Sequence, residues 1–107
     1  LYSIITPTFN REKILISSID SSISFAGGFR FGDELIIIDD ASTDATFSKA
    51  ENLEKQDSRI RILQNQNNFG TGISRNKGIK AAQGDFIAFL DVSDQWKING
   101  TLLFLLF

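Results

Sequence analysis

Three features of the sequence predict an open, mostly parallel α/β sheet with helices on both faces. Four short apolar runs alternate with three stretches of helical periodicity, giving β-α-β-α-β-α-β. The runs at residues 35–38 and 86–90 are uninterrupted, as in strands covered on both faces. The helical stretches are roughly 11 to 15 residues, long enough for crossovers between parallel strands. Winding outward and then reversing gives strand order 3-2-1-4, with the switch point between the first and fourth strands.

The first strand spans residues 2–6 and is expected to end at Pro7, which cannot donate to a central ladder. A hydroxyl- and amide-rich loop, Thr6-Pro-Thr-Phe-Asn10, follows. From Arg11 to about Phe25, Ile14, Leu15, Ile19 and Ile23 form an apolar stripe, and Gly27-Gly28 ends the helix. The second strand, residues 34–40, has a β-branched core and closes on Asp39 and Asp40. Ala41-Ser-Thr-Asp44 supplies a turn and N-cap candidates. The next helix turns Phe47, Ala50 and Leu53 inward and Lys49, Glu51, Glu54 and Lys55 toward water. Residues 59–63 alternate and suit a sheet edge. An amide-rich loop, Asn65-Gln-Asn-Asn68, leads to a helix over about residues 72–82 that carries Ile73, Ile79 and Ala82. Gln83-Gly84 ends it. The fourth strand, residues 86–90, then runs into Asp91, Ser93, Asp94 and Trp96.

Composition narrows the chemistry. A chain of 107 residues is one domain, able to bury about two-thirds of its unfolded surface. A net charge of −2 gives no reason to expect nucleic acid as a partner. With no cysteine and no histidine, disulfides, thiolate metal sites and imidazole catalysis are all excluded. Any metal must be held by oxygen, which points to magnesium, manganese or calcium. Residues 2–6 read as a strand rather than a signal peptide, and the start at Leu1 implies residues lost upstream. The apolar tail is far shorter than the roughly 20 residues a spanning helix needs.

In open α/β sheets ligands bind beyond the carboxyl ends of the strands. Here the first strand delivers Thr8 to Asn10, the second Asp39 and Asp40, and the fourth Asp91 and Asp94. A single Asp after a strand is usually a turn residue or N-cap. Two clusters converging on one crevice instead suit a cation and a nucleotide, since the cation offsets phosphate charge that bare carboxylates would repel.

Five motifs occur in order: Ser3-Ile-Ile-Thr-Pro-Thr-Phe-Asn-Arg-Glu12, Glu34-Leu-Ile-Ile-Ile-Asp-Asp-Ala-Ser-Thr-Asp-Ala-Thr46, Asn68-x-Gly70, Ser74-Arg-Asn-x-Gly78 and Gly84-Asp-Phe-Ile-Ala-Phe-Leu-Asp91. Together they resemble the N-terminal, nucleotide-sugar-binding half of family 2 glycosyltransferases, which have the Rossmann-like GT-A fold. The resemblance covers residues 2 to about 96. It implies a nucleotide-diphospho-sugar donor of UDP or GDP type and inverting transfer of the sugar to an acceptor hydroxyl. By position, Pro7, Thr8 and Phe9 would wrap the nucleobase, with Phe9 packed on it. Asp40 would contact the base, Asp39 shape the turn, and Arg75 contact phosphate or base. Asp91 would open the metal-binding Asp-x-Asp signature for Mn2+ or Mg2+.

Two departures follow. Where the family commonly has Asp-x-Asp-Asp, this chain has Asp91-Val-Ser-Asp94, so the main ligand position is Ser93, a weak neutral ligand. The metal is then expected on Asp91 and Asp94 with weakened affinity. The acceptor-binding part, with its Asp or Glu general base, is also missing. The layout is therefore residues 1–96 as the nucleotide-sugar-binding half and residues 97–107 as an apolar tail, from a truncated or frame-disrupted gene product or a deliberately shortened chain. The fourth strand would become an exposed edge, on which the tail folds back or a second copy pairs, giving self-association. A cytoplasmic location is expected, peripheral to the membrane in the full-length family context.

The rival readings are fewer. A dinucleotide oxidoreductase needs Gly-x-Gly-x-x-Gly after the first strand, where Thr-Pro-Thr-Phe-Asn stands. There is no P-loop, and the order of acids does not match a receiver domain. The alternative kept is a non-catalytic nucleotide-binding or self-associating fragment.

Overall fold

The structure, a computed structural model, describes residues 1–24, 33–90 and 103–106. It contains β1 (Tyr2–Thr8), α1 (Leu15–Ser24), β2 (Glu34–Asp39), α2 (Thr46–Gln56), β3 (Ile60–Gln64), α3 (Thr71–Ala81), β4 (Phe86–Phe89) and β5 (Leu103–Leu106). One sheet runs β3-β2-β1-β4-β5. The first four strands are mutually parallel in the expected order, and β5 pairs antiparallel with β4. The helix end at Phe25, Gly27 and Gly28 and the stretch from Asp91 to Trp96 lie outside the described residues.

Each face of the sheet has its own core. On one, Leu15 and Ile19 of α1 and Ala50 of α2 meet Leu35, Ile37 and Ile60. On the other, Ile5, Ile36, Ile38 and Ile87 pack with Ile79 of α3. There α3 comes so close that a Cβ on Gly78 would lie 2.5 Å from Ile5 Cγ2 and 2.9 Å from Ile38 Cδ1. Only glycine lets the helix approach the sheet this closely.

Every residue of β2 is buried, so side-chain alternation cannot set its register. Polar anchors at its two ends do. The Glu34 carboxylate accepts from Ser3 Oγ at 2.6 Å, the Gln83 amide at 2.6 Å and Arg61 at 3.0 Å. At the other end, Asp39 accepts from the Ser42 amide and hydroxyl.

Four expectations are corrected. Pro7 does not end β1, because its missing donor falls beyond the last pair of β1 with β4 among the described residues. Leu90 donates to Ile5 on the β4 side and Asp40 to Thr8 on the β2 side. Alternation therefore turns Pro7 toward β4, beyond the last pair at Ile5 and Phe89. The first helix starts at Leu15 rather than Arg11; residues 12–14 form a turn in which the Ile14 and Leu15 amides both donate to the Arg11 carbonyl. Ile73 is exposed, because α3 packs through Ser74 and Gly78 instead. Lys49 and Glu54 do not simply face water. Lys49 Nζ donates to the Glu12 carbonyl, and Glu54 accepts from the Ile62 amide, covering the edge of β3. Of the two fates expected for the edge left at the fourth strand, the structure shows the tail folding back, with residues 103–106 pairing antiparallel along it. The sheet ends on β3 and β5.

Candidate nucleotide cleft

Two loops are stitched together at the carboxyl end of the sheet. Three successive backbone amides after β1 donate to side chains after β2: Asn10 to Ser42 at 2.9 Å, Arg11 to Thr46 at 2.8 Å, and Glu12 to Asp44 at 3.4 Å. In return, Asn10 Oδ1 accepts from the Thr43 amide at 2.8 Å. Asn10 and Ala41 hold positive φ, 51° and 61°, to make these turns. Asn tolerates that region; Ala does so at a cost of about 1 kcal/mol. Asp44 also accepts from the Thr46 amide at the start of α2. Burial pushes the Asp44 carboxyl up, but its bonds to Thr46 and the Glu12 amide outweigh that and hold it below the usual range.

The stitched loops form one wall of a cleft of about 330 Å³, and the start of α3 forms the other. Pro7, Thr8, Phe9, Arg11, Asp40, Thr71, Ser74 and Arg75 line it. Five of these, Pro7, Thr8, Phe9, Asp40 and Arg75, are positions the sequence singled out. Phe9 is part-exposed at 38%. The Arg75 guanidinium lies 5.4 Å from the centroid of the Phe89 ring, so it leans from α3 to the end of β4. Asp39 does not line the cleft. Its carboxylate is fully buried and holds the Ser42 turn. Asp91, Ser93 and Asp94 lie outside the described residues, and no cluster of metal-ligating side chains occurs among the described ones.

Asp40 is 5% exposed, and its three donors are neutral. Oδ1 accepts from Asn65 Nδ2 and the Phe69 amide, both at 2.8 Å, and Oδ2 from the Gly70 amide at 2.9 Å. Burial alone would raise its pKa, but the three donors together lower it below the ordinary carboxylate value. The residue is therefore ionised at neutral pH and keeps its charge at the cleft wall. Gly70 reaches Asp40 with φ of 92°, a conformation that favours glycine. This explains Asn68-x-Gly70 as the clamp on Asp40. Thr6 Oγ1 and Thr8 Oγ1 are buried with no hydrogen-bond partner among the described residues.

Sequence reasoning missed Arg11, Thr71, Ser74 and, above all, Asn65. Asn65 is 3% exposed, and its amide nitrogen also donates to Ser74 Oγ at 2.9 Å, tying α3 to Asp40. The amide-rich loop was the available signal, but nothing in it told the buried Asn65 from the exposed Asn67 and Asn68.

The sequence pattern of Glycosyl transferase family 2 matches residues 3–103. The chain belongs to that family. A beta-1,3-glucosyltransferase of Escherichia coli, WfgD, named for UDP-Glc and alpha-D-GlcNAc-diphosphoundecaprenol, is 42% identical over 101 residues. These are 92% of this chain and 37% of that enzyme. A Campylobacter jejuni GalNAc(5)-diNAcBac-PP-undecaprenol beta-1,3-glucosyltransferase is 41% identical over 95 residues, 87% of this chain and 29% of its own. The crystal structure of S. aureus TarS 1-349 in complex with UDP-GlcNAc superposes with a TM-score of 0.74 at 31% identity, covering 85% of this chain and 26% of that one. The Pyrobaculum calidifontis mannosyltransferase PcManGT, in complex with GDP-Man and Mn2+, superposes at 0.78 over 89% of this chain and 28% of its own. At 21% identity it attests the fold alone. The chain thus spans about a third of the length of these relatives and carries the GT-A sheet of family 2. No described helix is long and apolar enough to cross a membrane.

Proposed function

We propose that the cleft binds the nucleotide of a nucleotide-diphospho-sugar, and that the chain is the donor-binding part of an inverting glycosyltransferase. One observation carries this: residues from three separate motifs, Pro7 to Phe9, Asp40 and Arg75, meet around a single cavity. Phe9 offers a part-exposed ring on which a base can stack. The Asp40 carboxylate accepts an N–H from the base edge. Arg75 and Arg11 supply guanidinium donors suited to diphosphate oxygens.

Asp91 and Asp94, with Ser93 as a weak third ligand, would hold Mn2+ or Mg2+, whose oxygen preference fits this donor set. When bound, such a cation offsets the charge that develops on the departing diphosphate. Transfer also requires a general base to take the acceptor hydroxyl's proton as that oxygen attacks the anomeric carbon. The family resemblance supports a base supplied from beyond residue 96. Two relatives are named for undecaprenol-linked acceptors, which supports action at a membrane surface.

Calorimetry with UDP- and GDP-sugars, with and without Mn2+, tests the reading. Saturable binding that Asp40→Ala abolishes is expected. Failure of the chain to bind either nucleotide would overturn it.

A further inference from the structure

Resting on the reading of the cleft as a nucleotide site, we propose that Asn65 sets its base specificity, restricting it to bases that present one imino N–H. The argument is an inventory of acceptor capacity at Asp40. A carboxylate offers about four lone-pair positions, two on each oxygen. On Oδ1 both are used, by Asn65 Nδ2 and the Phe69 amide. On Oδ2 one is used, by the Gly70 amide. A single position on Oδ2 is left for a ligand.

The orientation of the Asn65 amide is fixed by its neighbours. Lys77 Nζ lies 3.1 Å from Asn65 Oδ1 and can only donate, so the NH2 group must face Asp40 and Ser74. The Asn65 backbone amide is bonded to the Asp39 carbonyl at 2.8 Å, which anchors the residue between β2 and α3. Asn65 therefore permanently occupies one acceptor position on the base-contacting carboxylate.

Uracil and thymine carry one imino N–H between two carbonyl groups. Guanine presents N1–H and the N2 amino group side by side, and satisfying both on a carboxylate needs a position on each oxygen. Asp40 can meet the first demand and not the second. Thr71 also lines the cleft, and its hydroxyl is a donor suited to a carbonyl oxygen that flanks an imino group. A buried donor left unpaired is strongly disfavoured, so the mismatch is worth roughly tenfold or more in affinity.

The test is titration calorimetry of the whole chain with UDP, dTDP and GDP, repeated on Asn65→Ala. The wild type is expected to bind UDP at least about tenfold tighter than GDP. Asn65→Ala frees a position on Oδ1, so it should shrink the UDP-to-GDP preference by about the same factor. Loss of a merely structural amide would weaken all three ligands in proportion, and that result would overturn the proposal. So would a wild type that binds GDP as well as UDP. A dTDP affinity matching UDP extends the assignment to both pyrimidines; weaker dTDP with the UDP preference intact narrows it to uracil. If Asn65→Ala loses its fold by circular dichroism, the wild-type preference decides alone. Binding of none of the three overturns the nucleotide reading itself and this proposal with it.

Discussion

Two buried carboxylates, Glu34 and Asp40, stand at opposite ends of β2, and each takes three donors from other segments. Glu34 takes a hydroxyl from β1, a peptide N–H from the turn before β4 and a guanidinium from β3. Asp40 takes one side-chain amide and two peptide N–H groups. The difference lies in charge and in what comes next. Arg61 neutralises Glu34 and the Gln83 turn closes over it, so the group only ties strands together. Asp40 receives no cation among these three donors and lines an open cleft, so its charge is available to a ligand. Burial and polarity alone do not mark a site; an ionised group with acceptor capacity left over beside a cavity does.

The largest expected effect breaks the closed end. Glu34→Ala leaves a buried hydroxyl, a peptide N–H and a guanidinium without their acceptor, at a cost of about 3 kcal/mol. Thermal unfolding should fall by about 4–8 °C for each kcal/mol, while nucleotide affinity, measured below the transition, stays unchanged. Gly78→Ala forces a methyl against Ile5 and Ile38 and should cost about 2 kcal/mol in denaturant unfolding. It also moves α3, so donor affinity should fall along with stability.

Asp40→Ala makes the opposite trade. It is expected to cost about 1–2 kcal/mol of stability but to remove measurable donor binding. The pH dependence has a definite sign. The folded-state pKa of Asp40 is lowered, so its stabilisation is present above about pH 4, the unfolded value, and is lost as pH falls through the folded value. The stability gap between wild type and Asp40→Ala should therefore narrow on acidification below about pH 4. Asp57, paired with Arg59, is lowered too and should be lost alike in both proteins, cancelling from the gap. The smallest effect is a gain. Ala41→Gly relieves the positive φ at the turn and should stabilise by about 0.5–1 kcal/mol without changing affinity.

The parts of the fold that the sequence revealed were those governed by apolar pattern. Buried runs such as Leu35 to Ile38 announced the strands, and the alternation of runs and helices gave their order. Pro7 misled, because whether a missing N–H matters depends on which neighbour the residue faces, a property of the assembled sheet. Ile73 misled in a similar way, since α3 packs through a glycine and a serine that hydropathy does not weigh. The cleft was legible at Pro7, Thr8, Phe9, Asp40 and Arg75 because the family resemblance implied roles for those positions. Asn65 was not, because its meaning lies in contacts to Asp40, 25 positions away, and to Lys77 on the helix that follows.

The most direct measurement is an amide nitrogen–proton NMR titration of the whole chain with UDP. Resonances of Thr8, Phe9, Asp40, Gly70, Ser74 and Arg75 should shift saturably, while those of Ser3, Glu34, Arg61 and Gln83 stay in place. Shifts centred on the Glu34 end, or none at the cleft at saturating nucleotide, would contradict the account.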